Sequence, residues 1–247
     1  MSAPKRLKGL HRKKLLEELH RRYSAPVSYS QRFRYYRKKY LWLFFIEGTR
    51  LLKRALDIVI SSALLILLSP LMVLIALVIK LSDKGPVLFV TPRVGKWGME
   101  FQFPKFRSMK KNAEGMKQQL IMQNKFKNDV KFKMENDPRV TKFGYLLRKT
   151  SMDELPQLWC VLKGEMSLVG PRPPLPQEVE RYSLEERKRL DAVPGLTCLW
   201  QVKGRSEIPF KKQVELDIAY IESQSIWLDL KLILQTIPAI LFGKGAY

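Results

Sequence analysis

From Ile58 to Leu81 the sequence is apolar for 24 residues apart from serines and Lys80, with Ser69-Pro70 at its middle. As a helix rising ~1.5 Å per residue it reaches about 36 Å, enough for a hydrocarbon core of ~30 Å. Pro70 has no amide to donate and its ring crowds the carbonyl four residues earlier, so the sequence predicts a bend or break there. Each half alone is then too short to cross. Cations flank both ends, with Lys38, Lys39, Arg50, Lys53 and Arg54 before the segment and Lys80, Lys84, Arg93 and Lys96 after it. Lys and Arg favour the cytoplasmic side. The expected arrangement is therefore a re-entrant helix-break-helix over 53–84 that returns to the face it entered, with Ser69 available to satisfy a backbone group freed by Pro70. A proline-kinked span and a buried helix of a soluble protein are the alternatives.

The 247 residues, 46% of them hydrophobic, allow a sizeable core and exclude a wholly disordered chain. The net charge of +22 requires an anionic partner: nucleic acid, lipid headgroups or a phosphorylated substrate. Residues 1–54 hold 16 Lys or Arg against three acids, which is +13 of that total and leaves +9 for the rest. From Arg32 to Ile46 this arm interleaves cations with aromatic rings, a mixture suited to a membrane interface. Stacking on single-stranded nucleic acid is the competing use of the same residues, and a solvated basic arm is the plain one. Residues 12–19 could form a short amphipathic helix. No basic-then-apolar secretory signal opens the sequence, so the N-terminus is expected to stay cytoplasmic. Two cysteines, Cys160 and Cys198, are too few for a disulfide framework, and two histidines, His11 and His20, lie in the arm. A zinc cluster and a His-dependent triad are disfavoured together.

Beyond Lys84-Gly85-Pro86, Val87 to Val90 and Phe101 to Phe103 read as short strands around a turn at Gly95 and Gly98. Residues 109–127 suit a helix, Asp137-Pro138 marks a turn, and Val140 to Lys149 has helical spacing ending in two cations. Ser151-x-x-Glu154 then matches a capping box for a helix running to Lys163-Gly164. On that reading Glu154 merely caps, and Asp153 is a favourable first-turn acid. Pro156 argues against it, because a helix capped at Ser151 needs the amide that proline lacks. The competing reading is a functional carboxylate pair at a place that also favours a phosphate. Gly170-Pro171-Arg172-Pro173-Pro174 is a rigid loop presenting one guanidinium, or an ordinary linker. Ile226 to Phe242 is an apolar helix, either lying on the bilayer or closing the core.

Taken in order, Lys105-Phe106-Arg107-Ser108-Met109, Asn136-Asp137-Pro138-Arg139-Val140-Thr141, Leu147-Arg148-Lys149-Thr150-Ser151-Met152-Asp153-Glu154-Leu155-Pro156-Gln157, Ser167-Leu168-Val169-Gly170-Pro171-Arg172-Pro173 and Leu199-Trp200-Gln201-Val202-Lys203-Gly204-Arg205-Ser206 form a set of blocks. With the Ser-Pro-broken apolar helix they resemble the bacterial sugar transferases, the monotopic phosphoglycosyl transferases, from Lys53 to near the end. The resemblance implies an α+β fold: a re-entrant membrane helix over 53–84 and a mainly helical cytoplasmic catalytic domain, with a few short strands, over 85–247, preceded by the arm at 1–52. It implies transfer of a sugar 1-phosphate from a UDP-sugar to a polyprenyl phosphate such as undecaprenyl phosphate, with release of UMP and Mg²⁺ as cofactor. Asp153 matches the nucleophile and Glu154 the metal-holding residue. Lys105, Arg107 and Arg148 are the candidates for phosphate contacts, and Pro171, Arg172 and Pro173 for the uridine end. The expected partners are these substrates and an anionic phospholipid membrane at the cytoplasmic face of a bacterial inner membrane. No nucleic acid is expected, and a homodimer is left open. Three positions depart from the pattern: Thr91-Pro92 where Gln is common before Arg93, Cys160 where Asn is usual, and Thr197-Cys198 in place of Thr-Gly. The alternative function is a basic membrane-anchored adaptor or nucleic-acid binder without turnover.

Overall fold

The computed structural model describes residue 17 and residues 29–113, 115, 116, 137–204 and 207–242, without side chains at 31, 42–46, 83 and 240–242. It divides into two units, Met1–Arg50 and Leu51–Tyr247. Helix α1, Tyr29–Asp83, carries Pro70 in its interior and is not interrupted there. The helical break expected at Ser69-Pro70 is therefore corrected. Pro70 leaves the Ile66 carbonyl without its amide partner, and the Ser69 hydroxyl donates to that same carbonyl at 2.8 Å. One side chain thus supplies the hydrogen bond that the next residue removes.

Both halves of the apolar stretch pack on the second unit. Ile60, Leu64 and Leu65 lie against a core of Phe101, Phe103, Leu158, Val161, Leu168, Tyr220 and Leu232. Beyond Pro70, Ile75 and Ile79 are buried with Phe106 and Leu147, flanked by Leu71, Met72 and Ala76. The remaining face stays open, with Ile66, Leu67, Val73, Leu77 and Leu81 all more than half exposed. A helix of a soluble protein would bury that face, and an apolar surface this extended marks contact with lipid or another apolar partner. Among the described residues one helical stretch, Glu47–Ser82 within α1, is long and apolar enough to cross a membrane.

Polar side chains at the start of this stretch bind the helix to the rest of the unit. Arg54 donates to the carbonyls of Val161 and Leu162 at 2.6 and 2.7 Å. These are end carbonyls of α3, Leu158–Lys163, which stops at Gly164 in the left-handed region, φ +91°. Orphan carbonyls at a helix end need such donors. Asp57, 5% exposed, accepts from the Leu168 amide at 3.0 Å. Lys53 lies 2.6 Å from Asp229 and donates to the Val169 carbonyl at 3.1 Å, while the Tyr220 hydroxyl meets the other Asp229 oxygen at 2.6 Å.

The strands are few. An antiparallel hairpin joins β1, Leu88–Val94, to β2, Glu100–Phe106, pairing Leu88 with Phe106 and Val94 with Glu100. This is the hairpin read from the sequence, three to four residues longer on each arm; alternation turns Phe101 and Phe103 inward. A parallel pair of β3, Ser167–Val169, and β4, Gly195–Thr197, joins residues that carry no periodic signal of their own. Helix α2, Lys142–Lys149, is capped by the Thr141 hydroxyl, which accepts from the Gly144 amide at 2.9 Å. Gly144 admits no side chain, because a Cβ there would strike the Ser108 carbonyl. Short helices α4, Pro176–Val179, α5, Leu184–Arg187, and α6, Leu199–Lys203, lead to α7, Phe210–Glu222, and α8, Ile226–Phe242. Helix α8 closes the core with Asp229 and Leu232, which are buried, while Trp227, Leu234 and Ile237 on it are exposed. The helices expected over 12–19 and 109–127 fall mostly outside the described residues.

Replacing Lys53 by Met should leave Asp229 buried without its cation. Loss of about 3 kcal/mol is expected, the lower end for breaking a buried pair because Lys53 keeps some exposure. Denaturant unfolding of the detergent-solubilised protein, read on the second unit, checks this.

Candidate active site

Helix α2 ends at Lys149, and two residues later Ser151 adopts left-handed backbone angles, φ +55° and ψ +17°. That conformation costs a non-glycine residue about 1–3 kcal/mol and redirects the chain. A tight 3-10 turn, Met152–Gln157, follows, with Pro156 inside it. The capping-box reading is corrected here: Ser151 makes no side-chain cap, and Glu154 does not reach back. A capped α-helix starting at Ser151 would need the amide that Pro156 lacks, whereas the 3-10 turn closes through the Glu154 amide and the Ser151 carbonyl at 3.1 Å.

The Glu154 carboxylate is instead held by two cations from distant segments. Lys105 of β2 lies 2.6 Å from Oε1, and Arg172 lies 2.7 Å from the same oxygen and 3.4 Å from Oε2. Burial alone would raise this carboxyl, yet Arg172 and Lys105 overcome it and hold Glu154 well below the usual carboxylate range. Asp153, 7% exposed, meets Lys105 only at 3.8 Å. Burial, assisted by the neighbouring Glu154 charge, raises its pKa against the opposing pull of Lys105, Arg148 and Arg172. Adjacent residues thus differ sharply: one carboxylate is neutralised by hydrogen-bonded cations, and the other is nearly bare and easily reached by charge.

The loop bearing Arg172 is fastened along its backbone. The Pro171 carbonyl accepts from the Gly195 amide at 2.9 Å, and the Pro174 carbonyl from the Val94 amide at 2.9 Å. The Pro173 carbonyl accepts from Arg93 at 3.1 Å. Arg93 lies 5.2 Å from the centre of the Phe103 ring, and burial, with Arg172 nearby, lowers its pKa to about 10. The sequence offered Arg93 only as a flanking cation. Its role depends on hairpin register, which brings the end of β1 to a loop 80 residues further on.

Lys105, Asp153, Glu154 and Arg172 are therefore brought together. Arg148 donates to the Ser108 hydroxyl at 2.9 Å and acts on Asp153 through its charge. Arg107 is 8% exposed and packs against Gly85, where a Cβ would strike its guanidinium. No described contact joins it to the dyad. Pro171 and Pro173 contribute carbonyl anchors for the loop. Gln157, 1% exposed, carries an amide nitrogen without a hydrogen-bond partner among the described residues. It stands three residues after Glu154, on the same side of a 3-10 turn. In the sequence Gln157 stands only as the last residue of a family block, because an unsatisfied donor becomes visible only after folding.

Two of the departures from pattern, Cys160 and Cys198, are absorbed locally. Cys160 is buried and its thiol donates to the Gln102 carbonyl at 3.4 Å; burial pushes it up to about 12, so it remains a thiol. Cys198 sits in extended backbone, φ −151°, where no glycine is required.

The bacterial sugar transferase model matches residues 48–243, and the chain belongs to that family. It is 50% identical over 165 residues to the galactosyl transferase CpsE of Streptococcus agalactiae, covering 66% of this chain and 36% of the relative. It is 42% identical over 204 residues to the undecaprenyl-phosphate galactose phosphotransferase of Salmonella typhimurium, covering 81% and 43%. The exopolysaccharide production protein ExoY of Rhizobium meliloti is 39% identical over 198 residues, covering 79% and 88%. The chain thus spans less than half of the first two relatives and most of the third.

Because Glu154 is held below the ordinary glutamate value of 4.5, its ion pairs stabilise the folded protein fully above that pH and lose their contribution as the pH falls further. Unfolding temperatures of the parent and of Glu154→Gln should therefore differ most above pH 4.5 and converge in acid.

Proposed function

We propose that the protein transfers a sugar 1-phosphate from a UDP-sugar to a polyprenyl phosphate, with Asp153 as nucleophile. The observation that carries this is the division of the dyad: Glu154 binds two cations, while Asp153 is left nearly bare beside them. In the first step an Asp153 oxygen bonds to the sugar-bearing phosphorus. The bond from that phosphorus to the bridging oxygen breaks, and UMP leaves with the electron pair. In the second, a phosphate oxygen of the polyprenyl phosphate attacks the same phosphorus and releases the Asp153 carboxylate, giving polyprenyl diphosphate sugar. Splitting one displacement into two is the usual gain of a covalent intermediate. The relative named for galactose makes UDP-galactose the first donor to test.

Lys105 and Arg172 are the cations placed to bind the diphosphate, and the substrate then competes with Glu154 for them. Arg148 offsets charge at Asp153, and the free Gln157 amide is a donor for a substrate oxygen. A hard cation suits carboxylate oxygens supplemented by substrate phosphates. Asp153 and Glu154 fit Mg²⁺ in donor type, and among the described residues no cluster of three or more His, Cys, Asp or Glu offers a self-sufficient site. Mg²⁺ would be held by Glu154 with Asp153 and would supply charge neutralisation at the diphosphate.

The same reading puts the site at the cytoplasmic face of the inner membrane, with α1 bent at Pro70 without losing its helical continuity, so that its apolar part enters and leaves by that face. Support comes from cations at both ends of the stretch and from the packing of both halves, Ile60 to Leu65 and Leu71 to Ile79, on the catalytic unit.

Asp153→Asn should lower UMP release by about three orders of magnitude or more, and a single-turnover reaction of the parent should leave a phosphosugar adduct on Asp153 by mass spectrometry. Product formation without the adduct would refute the covalent route. A protonated Asp153 cannot attack, so UMP release should fall with pH through a limb lying above the ordinary aspartate value of 3.8. Lys105→Met, which removes the strongest cation opposing that rise, should move the limb to higher pH. In intact spheroplasts an impermeant thiol label should leave cysteines placed at 52 and 84 both unmodified, and both should react once the membrane is permeabilised; reaction of only one before permeabilisation would establish a span.

A further inference from the structure

Tyr29, Phe33, Tyr36 and Tyr40 follow one another in α1 at intervals of four, three and four residues. At ~100° per residue, all four lie within an arc of about 60° on one face. They are 87, 60, 48 and 64% exposed. The Tyr36 and Tyr40 rings stack, with centroids 6.3 Å apart and planes 24° from parallel. Arg32 and Lys39 border the stripe on one side and Arg37 on the other, all exposed. Between Glu18 and Glu47 the sequence contains no acid. The family model begins at residue 48, so this stripe lies outside what the family shares.

We propose that this face of the Met1–Arg50 unit docks on an anionic lipid surface. Its rings would lie at headgroup depth, with Arg32, Arg37 and Lys39 reaching lipid phosphates. Tyrosine combines an apolar body with a polar tip, as a bilayer interface requires, and cations along both edges of an aromatic strip suit a planar layer of negative charge. The charge pattern argues against a second copy, because two such faces would bring their arginines and lysines together with no acid nearby to pair them. The convex surface of a single helix also lacks the groove in which a nucleic-acid strand is tracked. The arm thereby holds the membrane by a charge-dependent contact separate from the apolar stretch, and this inference does not rest on the chemistry at Asp153.

The test uses the full chain in nanodiscs of phosphatidylcholine alone or with about 30% phosphatidylglycerol. Spin labels are placed singly by Phe33→Cys, Arg34→Cys, Tyr36→Cys and Lys38→Cys; the native Cys160 and Cys198, each 1% exposed, are shielded from the reagent. In anionic discs, collisions with oxygen should exceed those with a water-soluble nickel chelate at 33 and 36, and the order should reverse at 34 and 38. The difference should vanish in neutral discs, in ~1 M salt, and at position 36 when Arg37→Glu and Lys39→Glu are introduced. Equal water access at all four positions overturns the proposal, as does immersion that persists in neutral lipid. Spin-spin broadening between copies at position 36 would assign the face to a second chain. Protection of positions 33 and 36 by an oligonucleotide would assign it to nucleic acid. Either result overturns the lipid assignment.

Discussion

The Glu154 carboxylate is the point at which three distant segments meet. Lys105 arrives at the open end of a hairpin, Arg172 on a loop stiffened by three prolines, and Glu154 itself on a strained 3-10 turn. A carboxylate so far removed from water is tolerable only with matched charge and hydrogen bonds. Removing any one of the three groups would leave the others exposed to that cost. The same arrangement sets the character of Asp153, because cations committed to Glu154 remain close enough to act on its neighbour without neutralising it.

The apolar stretch of α1 is joined to this site by packing and by polar contacts of different kinds. Arg54 caps α3, the helix that continues directly from the dyad turn, and Asp57 fixes the Leu168 amide in β3 just before the Arg172 loop. Lys53 reaches Asp229 of α8. The chain therefore has a short mechanical route from the apolar helix to each of the two elements that supply the dyad and its arginine. Ile75 and Ile79 complete the connection by packing on Phe106 and Leu147, neighbours of Lys105 and Arg148 in sequence. Such coupling matters to an enzyme whose proposed acceptor carries its phosphate at the surface of a bilayer and its chain within it.

Much of the local structure was legible because short-range rules decide it. The hairpin follows from its apolar strands and glycines, α2 from its spacing and two terminal cations, and the end of α3 from Gly164. Legibility failed where a local rule had a competitor in space. Ser151 and Glu154 have the spacing of a capping box, but cations 49 residues earlier and 18 residues later in the chain offer Glu154 stronger partners than a backbone amide. At Pro70 the expected interruption does not occur, although the Ser69 hydroxyl that supplies the missing bond was itself legible beside it. The parallel pairing of β3 with β4 and the place of Arg93 belong to long-range register, for which a single sequence carries no mark.

By itself the sequence determined the family blocks, the adjacent carboxylates, the membrane-length apolar stretch and the basic aromatic arm, because each is a property of composition or spacing along the chain. Tertiary structure decided which acid is neutralised and which is left bare, that Arg172 rather than Arg107 reaches the dyad, and that both halves of the apolar stretch pack on one unit. Those outcomes depend on which charges and surfaces approach one another after folding. Electrostatic and packing energies fall steeply with distance through space and are indifferent to separation along the chain.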